Sequence, residues 1–496
     1  MTRLRPCLYG VLACLLAVAG CSLTPSMPAP EAEQDLPGTF ASAPGDTTLP
    51  SAAADTARME SQRWWTAFGD STLTTLVDTA LAENFDLRAA EARVEELAAQ
   101  FRIARAPLFP SATANGQGNY QNQPANTGIG GAIGGGQGPD RFEFTDYQAT
   151  LGLSYELDFW GRVRSQRKAA LNQYFATAAD LQTARISVIS QTISTYFQAV
   201  SLQRQVQLGR RTVGLLEQRL DITEDRYAQG IASSFQVYSV QQSLEGARAE
   251  QPQLENQLYE ARSQLSVLLG RFAGQERALL PDSLSFALDL SPVPAGLPSD
   301  LLMRRPDVRA GARRLEAARQ QIGVARAEML PSLSLTGTGG TQSSALSSLI
   351  DLDQRFANFA AQLTAPLFQG GRLRANLDAA EARYQQQAAT YQQTVLTAFR
   401  EVKAALVAYE KQKQRLRDVR QQVATARDAY RTQRDRYEGG VGDVVALLDA
   451  ERGLLQARTR RAAAQLAVVN ARLALHRALG GTWTDDAEAE DPRLFQ

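Results

Sequence analysis

Two halves of this 496-residue chain repeat each other at an offset of 210 residues, and that repetition constrains the fold more than any single motif. Leu153, Leu157, Gly161, Arg162 and Arg164 recur as Leu363, Leu367, Gly371, Arg372 and Arg374. Arg226, Tyr227 and Gly230 recur as Arg436, Tyr437 and Gly440, and Leu269 and Gly270 as Leu479 and Gly480. One supersecondary unit has been used twice. Each copy reads as strands, a very long helix, a glycine turn and a second helix. Such a unit suits part of a wall in a larger assembly and presents no evident active site.

The second long helix is the clearest. From Arg372 to Glu438 there is neither Gly nor Pro, and a continuous helix of that length extends ~100 Å. Val395, Val402, Tyr409, Leu416, Val423, Tyr430 and Tyr437 recur every seven residues, with Phe399 and Leu406 on the adjoining seam, which is coiled-coil spacing. Leu377, Tyr384 and Tyr391 follow the same heptad one stutter earlier. After the turn at Gly439 to Gly442, Leu447, Leu454 and Leu475 resume a heptad frame. The first copy runs from about Ser165 to Tyr227, turns at Gly230 and returns to Leu269. Gly209, Gly214 and Gly246 make it less regular, and Pro252 predicts a local kink or broken turn.

The strands carry a different signal. Tyr147, Ala149, Leu151, Leu153, Tyr155, Leu157 and Phe159 occupy every second position, with Gln148, Thr150, Gly152, Ser154, Glu156 and Asp158 between them, which is a strand with one apolar and one wet face. Ser111 to Gln123 and the glycine-rich loop Asn126 to Gly138 complete a hairpin. The second copy repeats it with Leu333, Leu335 and Gly337, then Phe359, Ala361, Leu363, Ala365 and Leu367. Alternation of this length fits a transmembrane β-barrel with lipid outside and a polar lumen; a soluble β-sandwich shows the same period. Four strands cannot close a barrel, and open edges are not tolerated in hydrocarbon, so a membrane reading requires several chains to share one barrel.

Arg3 and Arg5 precede an apolar stretch, Leu8 to Ala19, that ends in Val18-Ala19-Gly20-Cys21. About 12 apolar residues fall short of the ~20 a spanning helix needs, so this is a targeting signal. Its ending resembles the bacterial lipoprotein signal, in which the residue matching Cys21 is lipidated and becomes the mature N-terminus, and Ser22 beside it resembles outer-membrane sorting. Cys7 and Cys14 leave with the signal, so the mature chain forms no intramolecular disulfide. Residues 22 to 57, rich in Pro, Ala, Ser and Thr, read as a tether between the lipid and the folded body.

Several function classes lose support. Lys and Arg number 52, as do Asp and Glu, and loss of Arg3 and Arg5 leaves the mature chain slightly acidic, with no basic face for nucleic acid. One histidine, His476, and no surviving cysteine other than Cys21 argue against a transition-metal site. No later stretch is apolar enough to form a transmembrane helix. Gly128 to Gly131 and Gly134 to Gly136 lack the following Lys-Ser/Thr of a phosphate loop. Asp158, Glu156 and His476 can be assembled on paper into a polar cluster, but His476 lies in the terminal return helix, far from the strands, and reads as a packed or surface residue. An enzyme and a general porin are therefore poor fits; a cytoskeletal rod would need neither the strands nor the signal.

Trp64-Trp65 with Phe68-Gly69-Asp70, Leu302-Met-Arg-Arg-Pro-Asp-Val-Arg309, Ala327-Glu-Met-Leu-Pro-Ser332, Phe368-Gln-Gly-Gly-Arg-Leu373 and Val445-Ala-Leu-Leu-Asp-Ala450 resemble the outer membrane factor lipoproteins of resistance-nodulation-division efflux systems, the NodT-like branch of the TolC family. The resemblance covers almost the whole mature chain. It implies an α+β protein: a trimeric outer-membrane β-barrel with four strands per protomer, continued by a long periplasmic α-helical coiled-coil barrel and joined by a mixed equatorial domain. The expected divisions are a lipoprotein signal peptide at 1–20, a lipidated N-terminus and tether at 21–60, and an equatorial and helical segment at 61–106. The first barrel hairpin follows at 107–164, the first helical hairpin at 165–270 and an equatorial linker and helix at 271–326. The second barrel hairpin occupies 327–371, the second helical hairpin 372–480 and a tail 481–496.

The family resemblance implies a passive exit duct for drugs or similar cargo, with no catalytic centre and no cofactor beyond the covalent lipid at Cys21. The implied partners are two further copies of the chain, a periplasmic adaptor, an inner-membrane pump and outer-membrane lipid; a duct for type I protein secretion or heavy-metal efflux is the alternative. The turns at Gly230 and at Gly439, Gly440 and Gly442 are then the inner tips and the expected adaptor contacts. In the family, acidic residues just beyond the second turn narrow the aperture. One such position matches Asp449, while the other falls on Ala446, which leaves a double acidic ring in doubt; Asp443 lies nearer the turn and offers another charge. Helix-start electrostatics account equally for either carboxylate. Arg226 with Tyr227 and Arg436 with Tyr437 are candidates for holding the tips closed, or are ordinary amphipathic seam residues.

Overall fold

A computed structural model describes residues 23–26, 63–124, 141–274 and 305–481. The signal region, Cys21, the loop Asn126 to Gly138, Leu302 to Arg304 and the tail after residue 481 lie outside them. In chain order the main elements are α1 (Ser71–Glu83), α2 (Phe85–Arg105), β1 (Ser111–Pro124), β2 (Arg141–Leu157), α3 (Arg162–Ala228) and α4 (Ser234–Leu268). The second half supplies α5 (Pro306–Ala327), β3 (Ser332–Ser343), β4 (Arg355–Thr364), α6 (Arg372–Glu438) and α7 (Val444–Ala478).

The four strands form one antiparallel sheet in the order β1-β2-β3-β4. Its register places the apolar positions opposite one another. Ala112, Leu153, Gly337 and Phe359 form one cross-strand row, and Leu157, Leu333 and Leu363 another. The alternate rows are polar: Thr113, Gly152, Thr338 and Asn358, then Glu156, Ser334 and Gln362. A shift of one residue would mix the faces, so the alternation fixes the register. The apolar face is bare in the single chain, with Phe359 89% and Leu363 69% exposed. Both β1 and β4 are edge strands. β2 ends at Leu157 rather than Phe159, and β4 at Thr364 rather than Leu367, because Pro366 has no amide hydrogen to continue a ladder.

Two 67-residue helices, α3 and α6, leave the sheet. Asp158 fixes the start of α3 by accepting from the Val163 and Arg164 amides at 3.0 and 2.9 Å, which moves the helix start to Arg162. The return helices α4 and α7 have 35 residues each and cover only the far part of their partners. Nearer the sheet, α2 packs on α3, and α5 packs on both α3 and α6. Two buried polar residues join these shorter helices end to end. Asn84 caps α2 through the Leu87 amide at 3.1 Å and donates to the carbonyl of Leu268, the last residue of α4, at 3.0 Å. Arg305 precedes α5, donates to the Ala478 carbonyl at the end of α7 at 3.1 Å, and pairs with Asp307 and Glu401. α4 continues through Pro252 instead of breaking there, and α3 through Gly209 and Gly214.

The heptad residues Val395, Val402, Tyr409 and Leu416 are buried against Ala464, Val468 and Leu475 of α7. A second core forms where Trp64, Trp65, Phe68, Leu73 and Leu76 pack against Ile189, Ile193 and Tyr196 of α3, Leu265 of α4 and Val469 of α7. Asp70 caps α1 through the Leu73 amide and accepts from the Tyr196 hydroxyl at 2.7 Å. His476 stacks on Trp64 in this core, with ring centroids 4.5 Å apart and planes within 15°. It is a packed residue, not a surface one.

Burial, with a smaller contribution from the Arg472 charge, pushes the His476 pKa down to about 3. In the unfolded chain the imidazole titrates near ~6.5. The unfolded state therefore binds a proton from that pH downward while the folded state resists it, so stability present above ~6.5 is lost as pH falls toward 3. Between pH 7 and 5 this single group lowers stability by about 2 kcal/mol per chain. His476→Phe, which retains the stack, should flatten the pH dependence of unfolding of the detergent-solubilised protein by that amount. An identical slope in the variant would remove His476 as its source.

Candidate functional site

The two helical tips share one backbone design. Gly230 has φ +72° and Gly440 φ +75°, the left-handed conformation that glycine adopts without a Cβ penalty. The Ile231 amide donates to the Arg226 carbonyl at 2.8 Å, and the Val441 amide to the Arg436 carbonyl at 3.0 Å. The Arg-Tyr pairs thus supply carbonyls that close the turns. Gly442 is required for another reason: a Cβ there would meet the Tyr437 amide nitrogen at 2.7 Å. Gly439 ends α6, its amide bonded to the Asp435 carbonyl at 3.0 Å.

The helices that leave the tips are capped differently. Ser233 begins α4 in a capping box with Gln236, and at the equivalent place Asp443 begins α7, accepting from the Val445 amide at 3.3 Å. Asp443 also accepts from the Gln236 side chain at 3.2 Å, which ties the two tips together. The Arg226 guanidinium lies over the Tyr437 ring, 4.9 Å from its centroid, and makes a second tie. Tyr227 and Arg436 are exposed and are not brought into this cross-hairpin contact. Asp449 is exposed one turn and more into α7, where it pairs with Arg452 at 3.2 Å; Arg452 also donates to Ser243 of α4 at 3.0 Å. Ile231 and Val441, 70% and 75% exposed, stand at the extreme ends.

Behind the tips, Leu216, Val240, Leu244, Val444 and Leu448 form one apolar cluster shared by both hairpins. Above it runs an ion pair between Arg219 of α3 and Glu451 of α7, with side chains only 10% and 14% exposed. Sequence reasoning missed this pair. Its signal was a difference between the repeats, since Arg219 corresponds to Ala429 and Glu451 to Gln241 at the 210-residue offset. Here the two unmatched charges meet between the copies.

These tips, the helical columns and the half-exposed sheet are shared with known proteins. Residues 76–271 and 297–481 match the outer membrane efflux protein family. The chain belongs to that family, in the NodT-like branch of the TolC family. The antibiotic efflux pump outer membrane protein ArpC of Pseudomonas putida is 35% identical over 467 residues, which are 94% of this chain and 93% of that protein. The toluene efflux pump outer membrane protein TtgC, also of Pseudomonas putida, is 34% identical over 467 residues, with the same coverage of 94% and 93%. The crystal structure of the CmeC outer membrane channel of Campylobacter jejuni superposes with a TM-score of 0.85 at 25% identity, covering 96% of this chain and 98% of that one. Within this family fold, Cys21 remains a sequence expectation, because it lies outside the described residues.

The Arg219–Glu451 pair should hold the two hairpins together. Glu451→Ala leaves a largely buried guanidinium without its partner and should destabilise the tip region by about 3 kcal/mol. Hydrogen exchange of the 210–250 and 440–460 segments should rise accordingly. The double variant Arg219→Met, Glu451→Leu replaces the pair by apolar contact and should recover most of the loss. Equal exchange in Glu451→Ala and the parent would show that the pair carries no stability.

Proposed function

We infer that this chain is the outer-membrane exit duct of a tripartite efflux pump, conducting its cargo passively from an inner-membrane pump and periplasmic adaptor to the cell exterior. The observation that carries this reading is the continuity of an apolar sheet face with helices of 67 residues. Four strands from each of three chains would close a twelve-stranded barrel, satisfying the edge amides that hydrocarbon cannot solvate. α3 and α6 would then carry the passage ~100 Å beyond it. The antibiotic and toluene pumps named among the relatives favour small organic cargo. Energy comes from the partner, and the tips around Gly230 and Gly440 are the adaptor's docking surface.

The particle is a homotrimer anchored by lipid at Cys21. Mass measurement on the detergent-solubilised protein should give three chains, and labelled palmitate should be incorporated into the parent but not into Cys21→Ser. A stable monomer enclosing a complete membrane barrel would refute the shared wall, whereas label retained in Cys21→Ser would refute only the anchor.

The resting aperture lies at the tips, where three copies of Asp449 bring negative charge together and favour cations. Asp443 and the Arg226–Tyr437 contact hold the tips closed, with Tyr227 and Arg436 facing the neighbouring chain or the adaptor. The exposed Asp449–Arg452 pair contributes at most about 1 kcal/mol to stability, so Asp449→Ala should preserve the fold. Single-channel recordings under asymmetric salt should show reduced cation preference in Asp449→Ala and easier opening in Tyr437→Ala. Unchanged selectivity and opening in both variants would place the constriction elsewhere while leaving the duct intact.

A further inference from the structure

The first helical hairpin is weakened at one level of its length, where the second keeps an uninterrupted helix. Gly209 and Gly214 lie inside α3, and Gly246 and Pro252 inside α4. They share a level across the hairpin, because a Cβ on Gly209 would meet Oε1 of Gln251 at 2.5 Å. At the 210-residue offset their counterparts are Val419, Ala424, Gln456 and Ala462, and α6 contains neither Gly nor Pro. A helix-interior glycine loosens the backbone, and Pro252 has no amide hydrogen to give the Arg248 carbonyl one turn back. Packing accounts for some helical glycines: a Cβ on Gly311 would meet the Tyr391 ring at 3.1 Å. It does not account for Gly214 or Gly246, where a Cβ would meet nothing within 4 Å. Gly453 of α7 is alike in this, but α7 packs along the unbroken α6. A cavity of about 700 Å³ opens between α3, α4 and α7 at the weakened level, lined in part by Leu208, Gly209, Gly246, Gln251, Leu448 and Leu455. The ties between the tips attach to the first hairpin beyond Gly214 and before Gly246, through Arg219 to Glu451, Arg226 to Tyr437, Gln236 to Asp443 and Ser243 to Arg452.

We propose that residues 215–245, the tip of the first hairpin, form a hinged unit that swings on Gly209, Gly214, Gly246 and Pro252 against a second hairpin held stiff by α6. From Gly214 to Gly230 the helix runs ~24 Å, so a bend of ~20°, the size at which kinks at Gly and Pro are recognised, moves Ile231 by roughly 8 Å. Close-packed helices leave no room for such a bend, and the cavity between α3, α4 and α7 supplies it. The four ties hold the unit against the second hairpin, and their release frees the first tip while the second stays in place. Its part in opening rests on the tip aperture proposed above; the bend itself does not.

The test is the distance between the tips of one chain. In the full chain with its three native cysteines replaced by Ser, spin labels at Ile231→Cys and Val441→Cys report it. An excess of cysteine-free chain restricts the reading to labels on one molecule, whether or not copies assemble. Glu451→Ala with Tyr437→Ala, which cuts two ties, should widen the distance distribution by roughly 8 Å. Adding Gly214→Ala, Gly246→Ala and Pro252→Ala should cut that widening at least twofold, and adding Gly453→Ala instead should leave it unchanged. No widening, widening kept in full by the stiffened protein, or equal suppression by Gly453→Ala overturns the hinge. If the protein lacking the ties does not fold, hydrogen exchange with the ties intact decides. The three stiffening substitutions should then slow exchange at least threefold across the whole of 215–245, and slowing confined to one turn around each substitution overturns the hinge. Single-channel recording separates the two claims: a stiffened protein that loses the widening yet opens as before keeps the hinge and removes its part in the aperture.

Discussion

Hydrogen-bonding groups on the two free edges of a four-stranded sheet set the terms for everything else in this chain. The sheet exposes Leu151, Leu153, Phe359 and Leu363 on one face, so it belongs in an apolar medium, and there an unpaired edge amide or carbonyl costs several kcal/mol. Neither β1 nor β4 finds a strand for its outer edge among the described residues of its own chain. Closure by further copies, as proposed above, would satisfy both edges at once. It also explains why a protein with so little chain in its sheet devotes so much to helices that wall a passage beyond it.

The helical part solves a length problem. α3 and α6 are nearly twice as long as the helices that return from their tips, so half of each would lie bare. Butting a second helix against each return helix fills the gap. Asn84 and Arg305 do this with different chemistry, one by a neutral amide that bonds both helix ends, the other by a guanidinium held by Asp307 and Glu401 while it binds the last carbonyl of α7. Each occupies a junction where helix-terminal groups would otherwise be buried without partners.

At the tips, duplication and divergence divide the work. The turns themselves are retained, with left-handed Gly230 and Gly440 and the same carbonyl acceptors in both copies. The contacts between hairpins are unequal: Asp443 in one copy meets Gln236 from the other, Arg226 meets Tyr437, and Arg219 meets Glu451. A symmetric pair of hairpins has no reason to prefer one lateral arrangement. These one-sided charges and rings supply that preference, over a shared apolar cluster centred on Leu216 and Leu448.

Periodicity was enough to give the strands, the heptad helix, the glycine turns and the four-strand arithmetic that calls for several chains, because each is a local consequence of which side chains alternate or recur. It also led to a kink or broken turn at Pro252, where the helix runs on unbroken, and to a strand through Leu367 that Pro366 stops. Only the tertiary structure brought Asn84 to Leu268, Arg305 to Ala478, His476 onto Trp64, and Thr24 to Gln320 across 296 positions of sequence. Such contacts depend on where two distant segments meet in space, and no period within either segment records the other.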